Sequence, residues 1–263
     1  TCGRGETAPV DGERGQRIVD RLRGAYLGLS FEIIDSGIIS IDDLELAFKV
    51  ALDLHGPCAL ANRLGVDQAL ALVQAYADDH PGFVVPRSLQ VQAERGAPFA
   101  PSHLLEEDLL LGNGAVVRLI RVRRPKVLNA LNATTYRQLG AAIEEVANAP
   151  HIIGAVISGF GTKAFISGAD IHALRKIERP EDGYAIAKIA HDLTSTIEAM
   201  DKPVVAALNG VAFGGGLELA LGCTARIGIA GLRVLCGLPE VNLGIIPAGG
   251  GTHRLTRLIG LDA

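Results

Sequence analysis

Hydrophobic positions in the first part of the chain recur at helical spacing. Over residues 16–35, Ile18, Leu22, Tyr26, Leu29 and Ile33 fall three or four residues apart, as on one face of a helix. The spacing predicts a helix with that face inward, stopped by Gly37. Ser40-Ile41-Asp42-Asp43 is a capping-box start for a second helix that carries Leu44, Phe48 and Ala51 inward. Gly56-Pro57 breaks it. A short helix over residues 60–64 follows, then one capped by Asp67 over residues 68–77. Pro81, Gly82 and Pro86 interrupt the pattern before a last helix that runs to Glu94. Residues 15–95 therefore read as a small all-α domain behind a polar leader, residues 1–14.

GAPFAP, residues 96–101, cannot continue a helix and opens a linker over residues 96–108. Beyond it the period changes. Residues 109–111 and 115–122 read as a hairpin about Gly112-Asn113-Gly114. A helix is predicted over residues 133–148 with Leu139, Ile143 and Val146 on one face, and strands over residues 152–158 and 203–208. Strands separated by helices of this length predict a mostly parallel α/β domain over residues 109–263.

The chemistry gathers in three loops of that second part. The first is KPVVAALNGVAFGGGLELALG, residues 202–222. It is a buried strand, an Asn209-Gly210 turn that tolerates positive φ, glycines Gly214 to Gly216, and a run of helix formers. Such a turn presents bare N–H groups to an anion, or serves only to pack helix on strand. Glu218 stands one turn into this apolar helix, and burying an unpartnered charge is costly enough to point to a function. The second loop, GFGTKAFISGADI, residues 159–171, also follows a strand; Gly168 allows a tight bend and Ala169 offers an N–H. Two such loops from one sheet can aim two N–H groups at a single oxygen, the geometry of an oxyanion hole, although read alone the second loop is an ordinary strand-to-helix connection. In the third, GLPEVNLGIIPAGGG, Glu240 is a second carboxylate in an apolar context. Glycines from Gly249 form a turn into a helix over residues 253–259, or a phosphate-binding turn.

Composition narrows the classes. The chain has 263 residues, is 48% hydrophobic, lacks tryptophan and carries a net charge of −4. That balance gives no reason to expect nucleic acid or an anionic membrane as a partner. No apolar run approaches the roughly 18 residues that span a bilayer. The start lacks the apolar core of a secretion signal, and it lacks an initiator methionine, so the chain reads as a processed product or a fragment. Cys2, Cys58, Cys223 and Cys236 form no C-x-x-C pair and read as reduced core thiols of a cytoplasmic protein. No metal site is expected. His172 is the histidine nearest the chemistry and reads as a helix-surface residue or one that backs the site without touching substrate.

Four segments together resemble the crotonase superfamily of enoyl-CoA hydratases and isomerases: NALN at residues 129–132, AFISGADI at 164–171, KPVVAALNGVAFGGGLELAL at 202–221 and GLPEVNLGIIPAGGGTHRLTRLIG at 237–260. They stand in the family's order. The resemblance implies a crotonase-like ββα spiral core, short of the family's C-terminal helices. It implies that the N–H groups of Ala169 and Gly215 bind a thioester oxygen, and that Glu218 and Glu240 are the acid/base pair of a hydratase. By the same resemblance Asn129, Ala130, Leu131, Ser167, Gly168, Asp170, Ile171 and Gly214 border the CoA thioester. Residues 14–89, with DRL, a helix ending before G-I-x-S, I-D-D-L and a later G-P, resemble the C-terminal helical domain of 3-hydroxyacyl-CoA dehydrogenases; Asp20 stands where that family has asparagine. No G-x-G-x-x-G after a strand is present, so NAD belongs only to a parent chain with an upstream Rossmann domain. The expectation is an enoyl-CoA hydratase with no cofactor beyond the CoA of its substrate, a homo-oligomer, and part of a hydratase/dehydrogenase fusion. The alternatives are a catalytically silent assembly piece, an isomerase or a thioester hydrolase.

Overall fold

The computed structural model describes residues 12–231 and 235–260. They fall into two compact units, one ending at Pro101 and one beginning at Ser102. Most of the polar leader, with Cys2, lies outside the described residues. None of the helices described is long and apolar enough to cross a membrane.

The first unit holds α1 (Gly12–Asp35), α2 (Ile41–Ala51), α3 (Pro57–Leu64), α4 (Val66–Asp79) and α5 (Arg87–Glu94). The face expected to be inward on α1 is not the buried one. Leu22 is 65% exposed, and Ile18, Leu29 and Ile33 are exposed too, while Gly24, Leu27, Gly28, Ser30 and Phe31 are buried. Close approach decides this orientation. A Cβ at Gly24 would lie 2.5 Å from the Leu72 carbonyl oxygen of α4, and one at Gly28 would lie 3.0 Å from the Phe83 ring. Two glycines one turn apart thus admit α4, and hydrophobicity alone cannot register them.

Ser40 caps α2 as expected, accepting from the Asp43 N–H. Leu44 is buried, but Ala51 is exposed at the helix end. The third helix starts at Pro57, at its first turn, because proline needs no N–H partner there. Gly65 rather than Asp67 precedes α4, and Asp67 lies in its first turn. Phe99 stacks on Phe31 at 4.9 Å between ring centroids, and Asn62 holds the Phe99 backbone with two hydrogen bonds. The expected linker is therefore largely structured, its start packed into the helical core.

The second unit has two sheets. The larger has the order β1-β2-β3-β5-β7, with β1 (Leu104–Leu110), β2 (Val116–Val122), β3 (Ile152–Gly159), β5 (Val204–Leu208) and β7 (Ala225–Gly228). The β1/β2 pair is antiparallel and the rest are parallel. The first strand begins five residues before the hydrophobic pattern suggests. Its charges are paired: Arg118 reaches Asp108, Glu106 and Glu145, and Arg121 reaches Glu107. A second sheet of β4 (Ala164–Ile166), β6 (Val211–Phe213) and β8 (Cys236–Gly237) is parallel throughout. Helices α6 (Ala133–Asn148), α7 (Ile171–Leu174), α8 (Pro180–Ala199), α9 (Gly215–Gly222) and α10 (Gly251–Ile259) complete the unit.

The α6 range and its inward residues Leu139, Ile143 and Val146 agree with the periodicity. They join Ile120, Ile157 and Val204 in one buried cluster. Lys202 ends α6, donating to the Val146 and Ala149 carbonyls at 2.7 Å. Asn209-Gly210 turns without positive φ. Glycine is required there for space, since a Cβ would lie 2.5 Å from the Lys163 carbonyl, and Asn209 ties the turn to Gly159 and Gly161. Cys58 and Cys223 are buried, but Cys236 is exposed on the edge of β8, contrary to its reading as a core thiol.

Candidate active site

The two N–H loops leave adjacent parallel strands of the small sheet. From β4 the chain runs through Ser167, Gly168 and Ala169 to Asp170, which caps α7 by accepting from the His172 N–H at 3.0 Å. From β6 it turns at Gly214 directly into α9. Backbone meets backbone here. A Cβ at Gly168 would lie 3.1 Å from the Phe213 carbonyl oxygen, and one at Gly216 would lie 2.2 Å from that of Ile166. Gly168 and Gly214 also have φ of +115° and +49°. Glycine is therefore needed for both conformation and approach.

Both carboxylates come to this place. Glu218 on α9 is 4% exposed, and its Oε1 accepts from the N–H groups of Gly249 and Gly251, each at 2.8 Å. The glycines that could have formed a phosphate turn thus hold Glu218 at the start of α10, two residues earlier than expected. Arg254 secures that loop. Its Nη1 donates to the Gly249 carbonyl at 3.0 Å, and Nε and Nη2 fork onto Glu198, each at 2.7 Å. Glu240 sits in a 3-10 turn over Pro239–Leu243, 7% exposed, and its Oε2 has no partner among the described residues. A Cβ at Gly214 would lie 2.8 Å from Glu240 Oε1. Burial, with the charge of Glu218 adding to it, raises the Glu240 carboxyl above the ordinary range.

These groups line one cavity of about 280 Å³. Ser167, Gly168, Ala169, Ile171, Gly214, Gly215, Glu218 and Glu240 all reach it. Beyond them the wall is mostly aliphatic, with Leu174, Ile177, Ile186 and Ile246 among its residues. A few polar groups against a mostly aliphatic wall suit a largely apolar ligand oriented by one polar group.

Asn129, Ala130, Leu131 and Asp170 do not line the cavity; they stitch its frame. Buried Asn129 donates to the Phe160 and Ala164 carbonyls and accepts from the Arg124 N–H. Leu131 pairs with the second loop through Gly168 and Asp170. Asp170 binds Arg124 at 2.8 Å. Desolvation pulls the Asp170 carboxyl upward, but the Arg124 bond and charge with the helix N–H groups outweigh it and hold it below the ordinary value. His172 is exposed. Among the described residues no group of three or more His, Cys, Asp and Glu side chains is placed to hold a metal ion.

The sequence reading missed two contributors. One is the Gly249–Arg254 clamp. The other is Tyr136, on the buried face of α6, whose ring reaches the cavity beside Gly215. An aromatic with a polar tip on a helix face otherwise filled by Leu139, Ile143 and Val146 was the available signal.

Residues 112–263, more than half of the chain, match the family model described as Enoyl-CoA hydratase/isomerase. The chain is similar to the short-chain-enoyl-CoA hydratase of Clostridium acetobutylicum, 38% identical over 154 residues, which are 59% of this chain and 58% of the relative. It is also similar to the fatty acid oxidation complex subunit alpha of a Shewanella species, 38% identical over 136 residues, 52% of this chain and 19% of that one. A solved enoyl-CoA hydratase from Bacillus anthracis superposes with a TM-score of 0.55 at 30% identity, covering 61% of this chain and 59% of that one. The chain thus spans 58% of the length of the Clostridium relative.

Proposed function

The chain belongs to the enoyl-CoA hydratase/isomerase family, and from that membership we propose that it hydrates 2-enoyl-CoA thioesters to 3-hydroxyacyl-CoA. One observation carries the reading: two buried carboxylates, Glu218 and Glu240, line the same cavity as the backbone of Ala169 and Gly215. Isomerase chemistry needs one group to move a proton; adding water suits a pair that holds it from two sides.

In this mechanism the N–H groups of Ala169 and Gly215 hold the thioester oxygen, and the alkene carbons face the carboxylates. Glu218 Oε1 is occupied by Gly249 and Gly251, which leaves Oε2 to act on water. It takes a proton from water as the water oxygen bonds to C3. The alkene electrons move onto C2 and the thioester oxygen, where two N–H donors offset the charge. Glu240, whose raised proton affinity favours the acid form, delivers its proton to C2. The pair resets by one proton exchange. No cofactor beyond the CoA of the substrate takes part. CoA is held along the loop of Ser167, Gly168 and Ile171, with Asn129, Ala130, Leu131 and Asp170 fixing that loop from behind.

The same proposal extends to the parent protein. The helices before the hydratase unit resemble a 3-hydroxyacyl-CoA dehydrogenase C-terminal domain, and a Shewanella fatty acid oxidation complex subunit alpha is a relative of the second unit. Both support a hydratase/dehydrogenase fusion in fatty-acid oxidation, and the proposal makes that parent cytoplasmic and homo-oligomeric. The test is hydration of crotonyl-CoA, followed as loss of enoyl-thioester absorbance, with Glu218→Gln and Glu240→Gln alongside. Turnover abolished by either change supports the pair mechanism. Turnover that survives both changes overturns it.

A further inference from the structure

Tyr136 brings a hydroxyl to the cavity that the two-carboxylate mechanism does not use. The residue is buried on α6 and lines the cavity. A phenol that faces the cavity finds its hydrogen-bond acceptor in whatever fills it. Its position names that acceptor. A Cβ at Gly215 would lie 2.8 Å from Tyr136 Oη, 3.8 Å from Ala169 N and 4.0 Å from Glu218 Oε2. A single small volume is thus bordered by the phenol and by the N–H of Ala169, and it adjoins the residue that carries the second N–H. Burial, then the charges of Glu218 and Glu240, push the phenol's proton affinity up, so it stays protonated and acts as a donor.

We propose that Tyr136 is a third hydrogen-bond donor to the thioester oxygen, completing the pair formed by Ala169 and Gly215. The assignment rests on the hydratase reading above and adds a side chain to an oxyanion site otherwise built from backbone. The bond strengthens as charge develops on the oxygen, so it acts on turnover more than on binding.

Tyr136→Phe removes the hydroxyl and keeps the ring that packs in the core. Two measurements compare it with the unaltered protein. Crotonyl-CoA hydration should lose about 10- to 100-fold in kcat, with KM changed by less than about threefold. Bound acetoacetyl-CoA, whose enolate absorbs in the near ultraviolet, reports polarisation of the thioester without any water addition. Its enolate fraction should fall in Tyr136→Phe. An unchanged kcat overturns the proposal. So does a reduced kcat with an unchanged enolate band, since the hydroxyl would then serve another oxygen. If the unaltered protein enolises acetoacetyl-CoA but hydrates nothing, the hydratase reading fails while the enolate comparison still decides the role of Tyr136. If it does neither, both fail.

Discussion

Arg254 does not line the cavity, yet the structure makes it responsible for the position of Glu218. Replacing it with methionine keeps an unbranched side chain of similar reach and removes every donor. The loss can be worked from its bonds. The fork onto Glu198 faces a carboxylate that is 46% exposed, so that pair contributes only about 1 kcal/mol. The bond from buried Nη1 to the Gly249 carbonyl comes from a charged donor and contributes about 1.5–3 kcal/mol. Together they predict a loss of about 2.5–4 kcal/mol, a fall in Tm of about 5–15 °C for a unit of this size. Gly249 then no longer holds its N–H against Glu218, and a small displacement of the base lowers kcat by about 10- to 100-fold with little change in KM. Arg254→Lys keeps the charge without the fork and should fall between. Thermal unfolding followed by circular dichroism, with hydration kinetics on the same samples, measures both effects. A full rate in Arg254→Met, with or without a loss of stability, would refute the positioning role and show that the loop holds Glu218 unaided.

Further outcomes follow from other contacts. Glu240 binds its proton more tightly folded than unfolded, so its contribution to stability is complete below the ordinary glutamate range and is lost as pH rises through its raised value; urea melts across that window should show the slope, and Glu240→Gln should flatten it. The hydration rate of the unaltered protein should fall on the same alkaline side, as the acid form is lost. Gly214→Ala puts a side chain at φ +49° and drives a Cβ to within 2.8 Å of Glu240 Oε1, so turnover should drop sharply while the circular dichroism of the fold persists. In the helical unit, buried Glu45 accepts from the Cys58 N–H at the start of α3, beside Gly56, which has no side chain to cap it; Glu45→Ala should cost about 1–2 kcal/mol by chemical denaturation.

Elements held by local signals were legible in the chain. The α6 helix carries its periodicity and its buried face within a continuous run of residues, and its range matches the expectation. The second sheet was not foreseen because β4 and β6 have three residues each and β8 has two, too few to show alternation. The inward face of α1 was misread because glycine, not bulk, admits α4. The first strand was cut short because Glu106, Glu107 and Asp108 read as loop until their arginines on β2 are seen beside them. At the site, residue types singled out the two glutamates and the two glycine loops that line one cavity. The partners of Glu218 lie 31 and 33 residues further on, a separation that no local pattern reports. Asn129 was implied as a CoA-bordering residue by the family resemblance alone; in the structure its side-chain amide bonds inside the frame, to partners 5, 31 and 35 residues away.

The central claim is that water is added across the substrate's double bond. Incubation of crotonyl-CoA in ¹⁸O-water, with mass analysis of the product, tests it most directly. The account predicts a 3-hydroxyacyl thioester that carries the heavy oxygen at C3 and keeps its CoA. An isomer without added oxygen, or free CoA with the label in a carboxylate, would contradict it and assign the site to a different reaction of the same family.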